Sequence, residues 1–291
     1  MDRAIRQEQA DKYKQAETAR RERGVMPAMR SWDRAAAILA ERRIAGEVVT
    51  ALPLADRPTD TADAAAIRDR VHARLAASHF GRRMGWKIGC TTSVMQTYLG
   101  IGEPCAAGLF EGTRHFSPAA LPASGFRRIG VECEIAIRLA APLDTRGAAL
   151  SRDDVAAAVG GAAAAIEIVD DRYDDWRTLG APTLIADDFF AAGHVLGAEI
   201  SASELGDLAA VTGVTLVNGA EAGRGVGADV LGHPFEAVRW LAAHLATLGH
   251  RIEAGETILT GSLVETRWLQ AGDTARIAIE GLGEVELRVE G

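Results

Sequence analysis

Two periodicities divide the chain. From Ser31 to about residue 78, apolar positions recur every three to four residues, as on amphipathic helices. Beyond Gly81 they alternate or gather in short runs, as in strands. "SWDRAAAILAERRIAG" opens on a Ser cap and stops at Gly46. "TADAAAIRDRVHARLAASH" carries Ala65, Ile67, Val71, Leu75 and Ala76 at helical spacing, and "LPLADRPTDT" between the two reads as a loop. After Gly81, "MGWKIGCTT" reads as a short strand, "SVMQTYLGI" as a short helix or turn, and "EPCAAGLFEGTRHF" as glycine-punctuated loop. "GVECEIAIRL" is a strand. An alanine-rich helix capped by Ser151 follows, then a strand through "AAAAIEIV" that closes at Asp170. Further strands are predicted at "HVLGAEI", "GVTLVNG", "TILTGSL" and "TARIAIEGLGEVELRV". One helix interrupts them, with Phe235, Val238, Leu241, Leu245 and Leu248 as its apolar stripe and Gly249 at its end. Many strands without regular βα alternation predict an α+β fold, a mixed β-sheet roll, with a smaller helical region over 31–83 and the main domain over 84–291. Residues 1–30 are charge-rich and read as a polar extension.

The pattern is broken most sharply inside "GVECEIAIRL". Glu132 and Glu134 stand two apart and therefore share one face of the strand, while Val131, Cys133, Ile135 and Ile137 take the other. Like charges side by side in an apolar setting repel, and each resists desolvation, so a shared proton, cationic partners or a divalent metal must compensate them. Glu167 repeats the situation between Ile166 and Ile168. Three glutamates of this kind form an oxygen-donor set suited to Mg2+ or Mn2+. The same alternation also fits a half-exposed edge strand with Glu167 in a salt bridge.

In "GWKIG", Lys87 is a lone cation among Trp86, Ile88 and glycines. An apolar pocket would depress its pKa and suit it to acid–base or oxyanion work; a snorkelling surface lysine is the plainer alternative. Asp187 and Asp188 in "ADDFF", Ser262 in "TGSL" and loop histidine His115 are weaker candidates, since such residues more often close turns. "GRGVGADVLG" lacks the strand–turn–helix context of a dinucleotide site, and there is no P-loop or G-x-S-x-G.

Composition narrows the classes. The 291 residues are 48% hydrophobic, with net charge −8 from 32 basic and 40 acidic residues, which disfavours a nucleic-acid surface. No apolar run is long enough to span a membrane, and the polar start "MDRAIRQEQADKYKQ" lacks a signal-peptide core, so a cytoplasmic location is expected. Cys90, Cys105 and Cys133 follow no metal-site spacing and read as reduced thiols.

The ordered succession "GWKIG", "LGIGEPCAAGLFEG", "GVECEIAIRL", "AIEIVDDRYDDW", "ADDFFAAGHVLG", "VNGAEAGRGVGADVLGHPFEAVRWLAAHL" and "ILTGSL…GDTARIAIEGLGEVELRV" resembles the 2-keto-4-pentenoate hydratase and 4-oxalocrotonate decarboxylase group of the fumarylacetoacetate hydrolase superfamily. It covers residues 84–291, with a looser helical match from 31. The resemblance implies Mg2+ or Mn2+ held by Glu132, Glu134 and Glu167, Lys87 facing the substrate, Leu109 and Ser262 at the substrate, Asp187 or an activated water as base, and a homo-oligomer. It implies a hydratase adding water to a 2-hydroxy-2,4-dienoate. A 2-keto acid decarboxylase and a β-diketone hydrolase using Glu111 and His115 come next, with a non-enzymatic partner subunit as the rival class. Two departures stand out. Asp188-Phe189-Phe190 replaces an Asn followed by small residues, and "VETRWLQ" replaces a proline-containing run. An added charge at Asp188 and two rings would disfavour a second carboxylate on the substrate.

Overall fold

The computed structural model describes residues 31–145 and 149–291, so the polar extension over 1–30 lies outside the described residues. Residues Trp32–Gly291 form one compact unit. Its frame is a nine-stranded mixed sheet built on strands β1 (Arg83–Gly89), β2 (Cys105–Phe110), β3 (Arg114–Phe116), β5 (Ile129–Leu139), β6 (Val159–Asp170), β7 (Ala191–Leu196) and β11 (Thr257–Ser262). They run in the order β2-β1-β11-β5-β6-β7-β3, with two-residue strands β12 (Arg267–Trp268) beside β5 and β8 (Ile200–Ser201) beside β6. A second sheet has the order β10-β9-β13-β14-β4, from β4 (Ala119–Pro122), β9 (Thr212–Val217), β10 (Ala220–Val226), β13 (Thr274–Ile279) and β14 (Gly283–Glu290).

The large sheet curls until β2 approaches β7. The concave side is the inside of a roll, where Leu109, Ala136, Ala165 and Leu259 form one buried cluster with Leu196 against it. On the convex side Cys133, Ile135, Ile166, Ile168 and Val195 join Ala275, Ile277, Val285 and Leu287 of the second sheet in the main core. Side chains therefore alternate between two enclosed spaces, and β6, crowded from both, takes the small run Ala162–Ala165 as strand. The strand predicted over this run closes at Asp170 as expected, and the alanine-rich helix before it ends at Ala158, where enclosure by both sheets begins.

Helices α1 (Ser31–Ala45) and α2 (Thr61–Ala76) pack with the short helix α5 (Ala181–Ala186) in a second core containing Leu39, Ile67, Val71, Leu75, Phe110 and Leu184. Two other short helices, α3 (Ser93–Leu99) and α4 (Arg152–Ala158), and the longer α6 (Pro234–Thr247) are the remaining α-helices among the described residues. Helix α6 buries Val238, Leu241 and Leu245 and ends into Gly249 at φ +79, a left-handed turn that glycine adopts freely. The stretch predicted as loop over 103–116 departs from its sequence pattern and also contributes the edge strand β3. Residues 105–110, predicted as loop, form β2 paired antiparallel to β1. Gly108 interrupts the apolar run because a Cβ there would meet the His72 ring at 2.8 Å, so it marks a close approach instead of a turn.

Candidate metal centre and active site

Strand pairing assembles the glutamates. Glu132 on β5 lies directly across from Glu167 on β6, and Glu134 across from Ala165, so all three carboxylates stand on the concave face. Lys87 joins them from β1, where it pairs with Ala107 of β2 and Leu259 of β11. One carboxylate oxygen from each glutamate lies within 4.8 Å of the others. Glu134 and Glu167 are fully buried and Glu132 is half-buried, so the cluster opens to solvent at its Glu132 side.

Few donors from the protein reach these oxygens. Gly261 N–H donates to Glu134 Oε2 at 2.8 Å and Thr266 Oγ1 to Glu132 Oε1. Lys87 Nζ lies 3.0 Å from Glu167 Oε1. Glu134 Oε1 and Glu167 Oε2 have no hydrogen-bond partner among the described residues. Burial, then repulsion from Glu167, pushes the Glu132 carboxyl up to about 7 and the Glu134 carboxyl well above its usual range. Three carboxylates with orphaned buried oxygens fit a hard divalent cation, which would neutralise them and replace the missing donors.

Lys87 differs from the expectation of a depressed pKa. Burial alone would lower it, but Glu167 and then Glu132 outweigh burial and hold it above the ordinary lysine value. Its second contact is the Phe189 carbonyl, at 2.9 Å. Leu109 and Leu259 sit in the apolar cluster on the same face and form a wall beside the charged group. Ser262 pairs with Glu134 across the strands, but its hydroxyl donates to the Val264 carbonyl at 2.6 Å, so its proton is committed within the chain.

The Asp187 carboxylate belongs to Arg172, whose Nε lies 2.9 Å and Nη2 2.8 Å from Oδ2; it is fully buried, and burial raises its pKa against the pull of Arg172 and Arg43. This engagement speaks against the base role expected from sequence. Asp188 is likewise internal. Arg43 reaches Oδ2 at 2.7 Å, His72 reaches Oδ1 at 2.7 Å and Gly108 N–H donates to Oδ1 at 3.0 Å. The expected negative charge on the pocket wall is thus neutralised in the interior, and the argument against a second substrate carboxylate loses that part of its basis. Asp188, Phe189 and Phe190 all adopt left-handed backbone, at φ 59, 44 and 66, a conformation costing about 1–2 kcal/mol for each non-glycine residue. Glu111 pairs with Arg82 at 3.5 Å and forms no ion pair with His115, which lies on the edge strand β3.

Sequence reasoning passed over His194. It stands on β7 across from Glu167, is fully buried, and neither ring nitrogen has a hydrogen-bond partner among the described residues. Burial, then Arg114 and His115, hold its pKa down to about 3, so the ring is neutral. A histidine two residues before an inward leucine, in a run that otherwise reads as buried strand, was the available signal.

A profile for the C-terminal part of fumarylacetoacetate (FAA) hydrolases matches residues 112–290, from the turn before β3 to the end of β14. The chain belongs to the fumarylacetoacetate hydrolase family. Within that family it is 35% identical over 242 residues to a 2-hydroxyhexa-2,4-dienoate hydratase of Comamonas testosteroni, covering 82% of this chain and 90% of the relative. It is 33% identical over 250 residues to a 2-keto-4-pentenoate hydratase of Paraburkholderia phymatum, covering 86% and 94%. The fold is similar to that of 4-oxalocrotonate decarboxylase from Pseudomonas putida G7 complexed with magnesium and adipate. The TM-score is 0.83 at 25% identity, over 91% of this chain and 99% of that one.

Proposed function

We propose that the protein is a divalent-metal-dependent hydratase that adds water to a 2-hydroxy-2,4-dienoate of the 2-keto-4-pentenoate type, giving a 4-hydroxy-2-keto acid in aromatic-compound catabolism. The observation that carries this reading is the set of three carboxylates within 4.8 Å, with buried oxygens lacking protein donors and Lys87 3.0 Å from one member. Glu132, Glu134 and Glu167 would hold Mg2+ or Mn2+, a Lewis acid for the carboxylate and C2 oxygens of a 2-keto acid.

The remaining roles fall to this chain's own groups. Lys87, kept charged by Glu167 and Glu132, would hydrogen-bond the C2 oxygen and hold a proton there. Protonation of the dienol at its far carbon gives an unsaturated ketone, and water then adds to the carbon conjugated with it. Leu109, Leu259, Ala136 and Ala165 supply an apolar wall for the hydrocarbon end and keep bulk water away. Neutral His194 offers one donor and one acceptor on the same face. Asp187 is engaged by Arg172, so an activated water is the better base, and Ser262 contributes through its position beside Glu134. A homo-oligomer in the cytoplasm completes the reading.

Loss of the ultraviolet absorbance of 2-hydroxypenta-2,4-dienoate, dependent on added Mg2+ or Mn2+, tests it. Metal binding without turnover of any hydroxydienoate or keto acid would return the protein to the class of non-catalytic partners. A 2-keto acid decarboxylase is the second reading, favoured by the structural likeness to the magnesium-bound decarboxylase. Release of CO2 from 4-oxalocrotonate separates the two.

A further inference from the structure

Lys87 is one of three lysines in the chain, and the others are Lys12 and Lys14. The only ammonium between Ser31 and Gly291 therefore stands on the concave face beside the carboxylates. Two contacts aim it, Glu167 Oε1 at 3.0 Å and the carbonyl of Phe189 at 2.9 Å. That carbonyl belongs to the middle of the left-handed run Asp188–Phe190, which L-residues leave unless the surroundings over-determine it.

What over-determines it comes from elsewhere in the chain. Asp188 Oδ2 is bound by Arg43 from α1, and Oδ1 by His72 from α2 and by the Gly108 N–H of β2. Arg43 Nη2 and Arg172 Nη1 also donate to the Ala191 carbonyl, at 3.3 and 3.1 Å, closing the far end of the run. Gly108 leaves room for His72, since any side chain there would strike the imidazole. The helical region thus grips the one backbone segment whose carbonyl meets Lys87.

We propose that Asp188 is a positioning residue for Lys87: held by Arg43 and His72, it locks the left-handed run so that the Phe189 carbonyl fixes the ammonium against Glu167. The helices over 31–83 are then part of the catalytic apparatus without touching substrate. The kinetic consequence rests on the role given to Lys87 under the proposed function; the structural consequence does not.

The test uses the full-length protein labelled at lysine Cε and Nζ, whose NMR spectrum holds three lysine signals, with Lys87→Met assigning one of them. In Arg43→Met the Lys87 signal should shift or broaden while those of Lys12 and Lys14 stay in place. With dienoate substrate, Arg43→Met should lower kcat about 10-fold or more, with KM and Mn2+ affinity within about twofold of wild type. In a Lys87→Met background the same change should alter kcat by less than about twofold, because its effect runs through Lys87. A buried pair that merely supports the fold would lower the melting temperature but give additive kinetic losses, and additivity overturns the proposal. An unmoved Lys87 signal overturns it whatever the kinetics. If the wild-type protein turns over no dienoate, the proposed function fails while the NMR experiment still decides the clamp. Should Arg43→Met not fold, His72→Gln carries the same measurements.

Discussion

Asp187 and Asp188 are as deeply buried as Glu134 and Glu167, and each pair brings like charges close together. The aspartates each receive an arginine from the protein itself, although Asp187 Oδ1 has no hydrogen-bond partner among the described residues. Arg172 takes one, and Arg43, His72 and a backbone N–H take the other. The glutamates are left incomplete, sharing one lysine and a few donors and keeping oxygens that nothing among the described residues satisfies. A buried carboxylate held by a cation of its own is architecture. One without such a cation waits for a ligand that brings positive charge. Burial is alike and all four groups are carboxylates, so the cations and donors around each pair separate site from scaffold.

The comparison breaks most severely at Glu134. Glu134→Ala should bring turnover to background while the metal-free protein melts at the same temperature or higher, because a buried carboxyl with an unpartnered oxygen is removed. Melting in EDTA checks this, and a large drop would make Glu134 a structural partner. Arg172→Met should do the opposite, leaving Asp187 buried and unpaired at a cost of about 3–5 kcal/mol in urea unfolding. An effect below about 1 kcal/mol would mean that Asp187 does not depend on that pair. Lys87→Met keeps the packing of the stem and removes the ammonium. It should leave stability and Mn2+ binding near normal and lower kcat at least about 100-fold, and activity within a few-fold of wild type would remove Lys87 from the chemistry.

The smallest effect expected is a pair of opposite pH trends. Glu132 holds its proton up to about 7 and Glu134 is raised as well, whereas the unfolded chain releases such protons near 4.3. Between those values the folded metal-free protein binds more protons, so its stability falls as pH rises toward 7. Mn2+ competes with the same protons, so its affinity rises over that interval. Asp188 is held below the ordinary range because His72 and Arg43 outweigh burial. Its contribution is present above about 3.9 and is lost as pH falls below that value. Melts from pH 3 to 8, with EDTA and with saturating Mn2+, read both trends. A metal-free melting temperature that climbs from pH 5 to 7 would contradict the assignment for the glutamates.

The local pattern of the chain carried a good deal of this. Period-two alternation placed Glu132 and Glu134 on one face of a strand, and the isolation of Glu167 and Lys87 among apolar residues marked them as charges needing partners. Spacing of 3.6 residues outlined α1, α2 and α6. These features are legible because side-chain direction repeats along a single element. What tertiary structure alone decided is how elements meet. Pairing of β5 with β6 set Glu167 opposite Glu132, and the curl of the sheet brought Leu109 to the same interior. His194 became an inward, unpartnered ring only once β7 lay beside β6. Asp187 and Asp188 looked like pocket groups until Arg172, Arg43 and His72, the last two over 100 residues away, were seen to pair with them. Residues 105–110 became a strand because β1 offered its edge. Sequence fixes which groups are awkward to bury; the fold decides which of them receive a partner, because Coulomb and hydrogen-bond energies depend on distances that pairing and packing set.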